Sequence, residues 1–382
     1  MDEHRKWAKN SLKILTSKSG GIEEKFRKKF SAKINVIFEF GECNFSALIR
    51  QNGDHLDHIK YTKGNIISSL NVKLLDGHLA SATRLKFFLP GTRGSESEIF
   101  GSMVLRKFDI LAPRTKLVSA AFNNVKLDYL IQEKPAKEML EHFGRREGPL
   151  LEGDEDLLWR YKDYSPFALE KVSLARLENA SWARKGFSSF TASLEAYLKL
   201  QKAYLEYSLS GKRSSYLTPN QQQQDTKFSD FNFLMLAMNG AHGMRPHNRK
   251  FYYDTINEAF EPIYYDGDFN FKQKLLPWGW TADDALNILN EISLRRIDFI
   301  RKVIDDIAKD ALFIDQYAKA ANLARDQAKK EILDYTNNIK QNIGLLKKRK
   351  LNTPVTTIRS SHERNLIDRH LSLYDDIGFE QL

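Results

Sequence analysis

The chain reads as an α+β protein with a β-rich N-terminal lobe and a mostly helical C-terminal lobe. Three observations carry this reading. Period-two alternation dominates from Ala32 to Glu133 and is interrupted by one helical stretch; helical periodicity takes over from Pro135; and an aromatic hairpin stands inside the helical half. At 382 residues the chain can hold two lobes with a full core.

In chain order, residues 1–30 form a basic amphipathic helical arm. The β-rich lobe covers 31–134, with strands over 34–38, 45–50, 69–74 and 85–89 separated by Gly, Asp and Asn turns. Its single helix covers 97–108, after the loop G-T-R-G-S-E-S. Two more strands, 115–122 and 127–133, are bridged by Asn123-Asn124. The helical lobe covers 135–349, and from 135 to 210 the pattern is helical, with Leu194, Leu198 and Leu205 on one helix face. Residues 211–228, containing Gln221 to Gln224, read as a mobile loop, and a helix over 231–238 leads into the hairpin. Thr281 with Asp284 fits a capping box opening a long helix that carries Leu289, Ile292, Ile300 and Val303. Further helix runs to about 347, and residues 350–382 form a basic, polar tail.

Composition narrows the function classes. The lone Cys43 rules out an internal disulfide and a cysteine-based zinc site, and it fits a reducing, cytoplasmic setting. No apolar run reaches the length of a membrane span, and the N-terminus lacks the uninterrupted apolar core of a secretory signal. Lys plus Arg (59) exceed Asp plus Glu (49) by ten. Such an excess favours polyanions: nucleotide phosphates, acidic glycans, nucleic acid, or peripheral contact with an anionic surface. No nucleic-acid motif accompanies it, so no specific nucleic-acid partner is expected.

The chemistry concentrates in residues 242–270. A polar loop with His242, Arg245, His247 and Asn248 enters an aromatic strand; a polar turn follows, and the returning strand ends at Asp266-Gly267-Asp268. Pairing of the two strands, within a hairpin from Arg249 to Tyr265, brings Asn248 to the end that carries Asp266. An amide oxygen and two carboxylates there form a hard, oxygen-rich site suited to Mg2+. Phosphoryl-transfer enzymes hold metal and nucleotide phosphates with such a set. The alternative is an ordinary hairpin with polar ends. Asp266→Asn is expected to cost little stability, because it relieves repulsion from Asp268.

Ordered motifs extend the pattern: I-R-Q-N-G-D-H-L-D-H at 49–58, R-L-K-F-F-L-P-G-T-R at 84–93, L-A-P-R-T at 111–115, L-I-Q-E-K at 130–134, R-R-E-G-P-L-L-E-G-D-E at 145–155, and the hairpin. In order and spacing they resemble the spore-coat protein H (CotH)-like atypical kinases. The resemblance implies a divergent bilobal protein-kinase-like fold, ATP bound between the lobes, Mg2+, and phosphotransfer to a protein or glycan hydroxyl. It gives Lys86 the role of phosphate lysine, with Lys73 a rival and an outward-facing surface lysine the alternative. Glu98 would pair with that lysine, or merely complement the helix dipole. Glu133, at the end of the last strand, would meet adenine or ribose. The Gly53-Asp54 turn would cover phosphates or serve only as a turn. Asn248, Asp266 and Asp268 become metal ligands. The pattern departs at Gly243, which stands where kinases carry a catalytic Asp, five residues before the Asn. His242 then becomes the candidate base, kept neutral by Arg245, with His247 beside it. A nucleotide-binding pseudokinase or scaffold is the alternative activity. A metal-dependent hydrolase using His242, His247, Asp266 and Asp268 is a third reading.

Overall fold

The computed structural model describes residues 2–16, 22, 26–53, 55–62, 64–122, 125–154, 174–210, 226–273 and 288–352. The expectations for Asp54, Asn123-Asn124, the Thr281/Asp284 capping box, most of the 211–228 loop and the tail beyond 352 lie outside these residues.

Helix α1 (Asp2–Thr16) packs Trp7 and Ile14 against Ile59 and Ile66. Six strands form one antiparallel sheet: β1 (Phe30–Phe38), β2 (Gly41–Gln51), β5 (Leu70–Leu74), β6 (Arg84–Phe88), β8 (Val125–Glu133) and β7 (Thr115–Phe122), in the order β1-β2-β5-β6-β8-β7. A small hairpin, β3 (Ile59–Thr62) with β4 (Asn65–Ser68), lies between β2 and β5 in the chain. Pleating divides the large sheet chemically. Leu70, Val72, Leu85 and Tyr129 face one core, while Phe88 and Leu130 face another that contains α2 (Glu96–Lys107). Helix α2 lies one residue from its expected bounds. Its Phe100 ring sits edge-on to Phe271, Phe313, Tyr317 and Tyr335.

Residues 135–210 are not uniformly helical. After α3 (Lys137–His142) comes strand β9 (Leu150–Asp154), and β10 (Leu174–Leu177) pairs with it. The hairpin, β11 (Lys250–Asp254) with β12 (Ala259–Ile263), joins them in a second sheet ordered β10-β9-β11-β12. These short strands escape periodicity because Glu152 and Lys250 are satisfied by charge pairing across the sheet. Gly153 is required in β9, because a Cβ there would run into the carbonyl of Pro246.

Helix α4 (Ala180–Ala183) precedes α5 (Phe187–Ser210), which buries Ala196, Leu200, Ala203 and Tyr204. The Leu194/Leu198/Leu205 stripe, expected on one helix face, faces outward, while the small residues and Tyr204 pack with Phe251 and Tyr253 of β11. Helix α6 (Lys227–Ala237) is capped by Thr226. The long helix expected through Leu289 and Ile292 is broken. Ser293 caps a new helix α7 (Leu294–Ile307) by accepting from the Arg296 amide, and α8 (Ala311–Ala321) and α9 (Arg325–Asn352) follow. One core runs from α2 through α6 to α7, α8 and α9. Among the described residues, no helix is long and apolar enough to cross a membrane.

Candidate functional site

The returning strand ends at Ile263, earlier than expected, because the Tyr264 amide leaves the hairpin to donate to the Leu111 carbonyl at 2.8 Å. That bond turns the chain toward the six-stranded sheet. The Tyr265 hydroxyl consequently lies 3.2 Å from Lys86 Nζ of β6 and 3.0 Å from an Arg93 guanidinium nitrogen. Lys86 and Arg93 are each 8% exposed. The Arg93 guanidinium also lies over the Phe88 and Tyr265 rings, at 4.6 and 4.9 Å, and forms an ion pair with Asp266.

Lys86 makes no ion pair with a carboxylate among the described residues. The nearby Glu178 is held by Lys250 and by Lys134 at 3.1 Å, and Glu152 also pairs with Lys250. Burial alone would raise the Glu178 pKa, but Lys250 and Lys134 hold it well below the usual range. Among the described residues, Glu152 and Glu178 thus face Lys250, Lys134 and Arg176 directly, and Lys86 acts on Glu178 only through its charge. Lys73, the rival, is solvent-exposed.

Glu98 does not pair with Lys86. Its carboxylate accepts from Gln132 at 2.9 Å and from the Tyr264 hydroxyl. Burial raises its pKa against those two hydrogen bonds and Arg93. Tyr264 also accepts from the Gly267 amide at 3.1 Å, so one phenol joins α2 to the acidic turn. Glu133 alternates with Gln132 and so lies on the other side of the sheet from Lys86, where it binds Arg114 through three hydrogen bonds. Its side chain is occupied there by Arg114. Gly53 (φ +102°) packs against the His58 ring, which would overlap any Cβ; it is a structural turn.

Around the acidic turn the expected residues do gather. Asp266 and Asp268 both have φ 51°, the left-handed region that tolerates Asp. His242 Nδ1 lies 3.0 Å from the Asp266 carbonyl and 3.8 Å from its carboxylate. A carbonyl only accepts, so Nδ1 carries the proton and Nε2 keeps its lone pair. Asn248, buried, donates to the His242 carbonyl at 3.1 Å and stands 3.3 Å from the same Nδ1. Asn248 and Asp266 are therefore neighbours of one imidazole nitrogen. Burial, then Arg245, pushes both His242 and His247 down to about 4. Gly243 has a spatial reason: a Cβ there would meet the Tyr265 carbonyl at 2.7 Å and Gly267 Cα at 3.1 Å. An aspartate cannot occupy that place without moving the turn.

Arg93 and Tyr265 carry no role in the sequence reading, although Arg93 ends the motif R-L-K-F-F-L-P-G-T-R and Tyr265 immediately precedes Asp266-Gly267-Asp268. The usable signal was an arginine between the lysine strand and the single helix. No protein-family model matches the chain, and no curated protein matches it. Among the described residues, no three His, Cys, Asp or Glu side chains form a metal-ligand cluster, so the hydrolase set of His242, His247, Asp266 and Asp268 gains no support. Asn248, Asp266 and Asp268 still offer hard oxygens. They are the oxygen donors that Mg2+ takes, and the Asp266 carboxylate is held by a cation, the Arg93 guanidinium.

Proposed function

We propose that the chain is a Mg2+- and ATP-dependent phosphotransferase similar to the CotH-like atypical kinases, with a divergent bilobal kinase-like fold, acting on a protein or glycan hydroxyl. One observation carries the reading. Lys86 is buried and, among the described residues, makes no ion pair with a carboxylate; it lies beside Arg93 and next to the turn that carries Asp266. A buried cation is costly unless it is paired, and a nucleotide phosphate is the anion that fits a Lys and an Arg converging from a strand and a loop.

Lys86 would hold phosphate oxygens as a point charge. Asn248, Asp266 and Asp268 would hold Mg2+, which supplies neutralisation of phosphate charge. The remaining chemistry belongs to His242. Its Nδ1 proton is directed to the Asp266 carbonyl, which leaves Nε2 to accept the proton of an acceptor hydroxyl. With a pKa of about 4 it stays neutral at physiological pH but is a weak base. Phosphoryl transfer through a loose transition state rests mainly on positioning and charge, so weak basicity suffices.

Nucleotide binding without turnover is the second reading, favoured by Gly243 in place of the catalytic Asp and by the hold of Arg93 on Asp266. The test is thermal stability with and without millimolar ATP and Mg2+, followed by mass spectrometry of the chain and of added acceptors for phosphate. No stabilisation rejects both readings; stabilisation without phosphate on any hydroxyl selects the second.

A further inference from the structure

We propose that Arg93 is an internal stand-in for the divalent cation. In the unliganded chain its guanidinium neutralises Asp266, and a polyphosphate draws it away, so that Asp266 takes a metal only together with nucleotide. The inference rests on the phosphotransferase reading and adds the order in which the site fills.

Arg93 sits on the loop between β6 and α2, nearly fully buried, and Asp266 is the carboxylate it meets. The pair is placed with care. The guanidinium lies against the Phe88 and Tyr265 rings, and one of its nitrogens shares the Tyr265 hydroxyl with Lys86. Two cationic donors thus meet at one neutral phenol oxygen, a weak acceptor that a phosphate oxygen surpasses for both. A guanidinium forks onto phosphate and carboxylate with equal facility, so the same group can serve either partner through a change of rotamer. While Arg93 holds Asp266, a divalent cation would meet a positive group at its carboxylate, and repulsion at close range in a buried place is large. When phosphates arrive, Arg93 has a better partner, the carboxylate is released, and the phosphate charge favours the metal. Nucleotide and metal then bind as one event.

The experiment is Mn2+ binding to the full chain, read from loss of the electron paramagnetic resonance signal of the free ion. Without nucleotide, wild-type chain and Asp266→Asn should bind Mn2+ alike, because Asp266 is already neutralised. Arg93→Gln should gain a site at least tenfold tighter, and Arg93→Gln/Asp266→Asn should lose it. Circular dichroism confirms that each variant is folded. Asp266-dependent Mn2+ binding by the unliganded wild type overturns the inference without use of any Arg93 variant. A folded Arg93→Gln that gains no site overturns it too. The underlying reading is scored separately by the ATP/Mg2+ thermal shift of the wild type. If that shift is present while either overturning result is obtained, only the role of Arg93 falls; if it is absent, both fall.

Discussion

Replacement of Lys86 by Met separates a ligand-binding lysine from a structural one. The lysine gives the unliganded fold a 3.2 Å hydrogen bond to a neutral phenol and a cation–π contact 4.5 Å from the Tyr265 ring. These contribute about 1 kcal/mol and about 1–2 kcal/mol. Methionine keeps an unbranched stem and adds about 1 kcal/mol of apolar burial. It also removes the charge's desolvation cost and its repulsion of Lys134, together about 1–3 kcal/mol. The opposing effects nearly cancel, so the unfolding free energy without nucleotide should stay within about 1 kcal/mol of wild type. Nucleotide binding has no such compensation. A charge-assisted bond to phosphate is worth about 1.5–3 kcal/mol, so affinity should fall by roughly 10- to 150-fold. At ATP about 100-fold above its Kd, the wild type gains about 2.7 kcal/mol, and a 100-fold weaker variant gains only about 0.4 kcal/mol. Urea titrations with and without ATP and Mg2+ measure both quantities. A variant that lost more than about 3 kcal/mol unliganded yet kept the full ATP increment would show that Lys86 is structural and does not hold phosphate.

Three further outcomes follow from the same geometry. Asp266→Asn should abolish the metal-dependent part of nucleotide stabilisation, and should cost about 2–3 kcal/mol by leaving Arg93 buried without its carboxylate; urea unfolding checks this, and it reverses the expectation that the change relieves repulsion. His242 and His247 titrate near 4 when folded and near 6.5 when unfolded, so the unfolded chain takes up more protons as pH falls between these values. Stability should therefore be full above about pH 6.5 and decline toward pH 4, by up to about 3 kcal/mol for His247, with a shallower decline in His247→Gln. Gly153→Ala should cost about 1–3 kcal/mol and weaken the ATP effect, because the new methyl presses on backbone at Pro246 and, at 2.8 Å, on His247 Cα.

The legible parts of the sequence were those whose signal is local. Helix α2 announces itself by Glu96 and Glu98 in its first turn and by an apolar run through Leu105. The hairpin shows in its alternating aromatics and polar turn; Asn248 and Asp266 both lie beside His242 Nδ1, a neighbour that strand pairing alone does not name. Strands β9 and β10 were hidden because Glu152, Glu178 and Lys250 look like surface residues until they are brought together and buried as a charge cluster. Glu98 and Glu133 share that limitation. Their residue types and element positions were read correctly, but the partners that claim them, Tyr264, Gln132 and Arg114, lie 19 to 166 residues away. Leu194, Leu198 and Leu205 show the converse, since a regular apolar stripe does not say which side of α5 is covered.

The phenol of Tyr264 ties the helix to the acidic turn. It donates to Glu98 on α2 and accepts from Gly267 between the two aspartates. On its far side α2 is wedged by the Phe100 ring among Phe313, Tyr317 and Tyr335 of the C-terminal helices. A displacement of α2 would therefore be felt at Gly267, between the two aspartates. The spacing of the C-terminal helices is thereby coupled to the acidic turn, much as the seat of a lever is coupled to its tip.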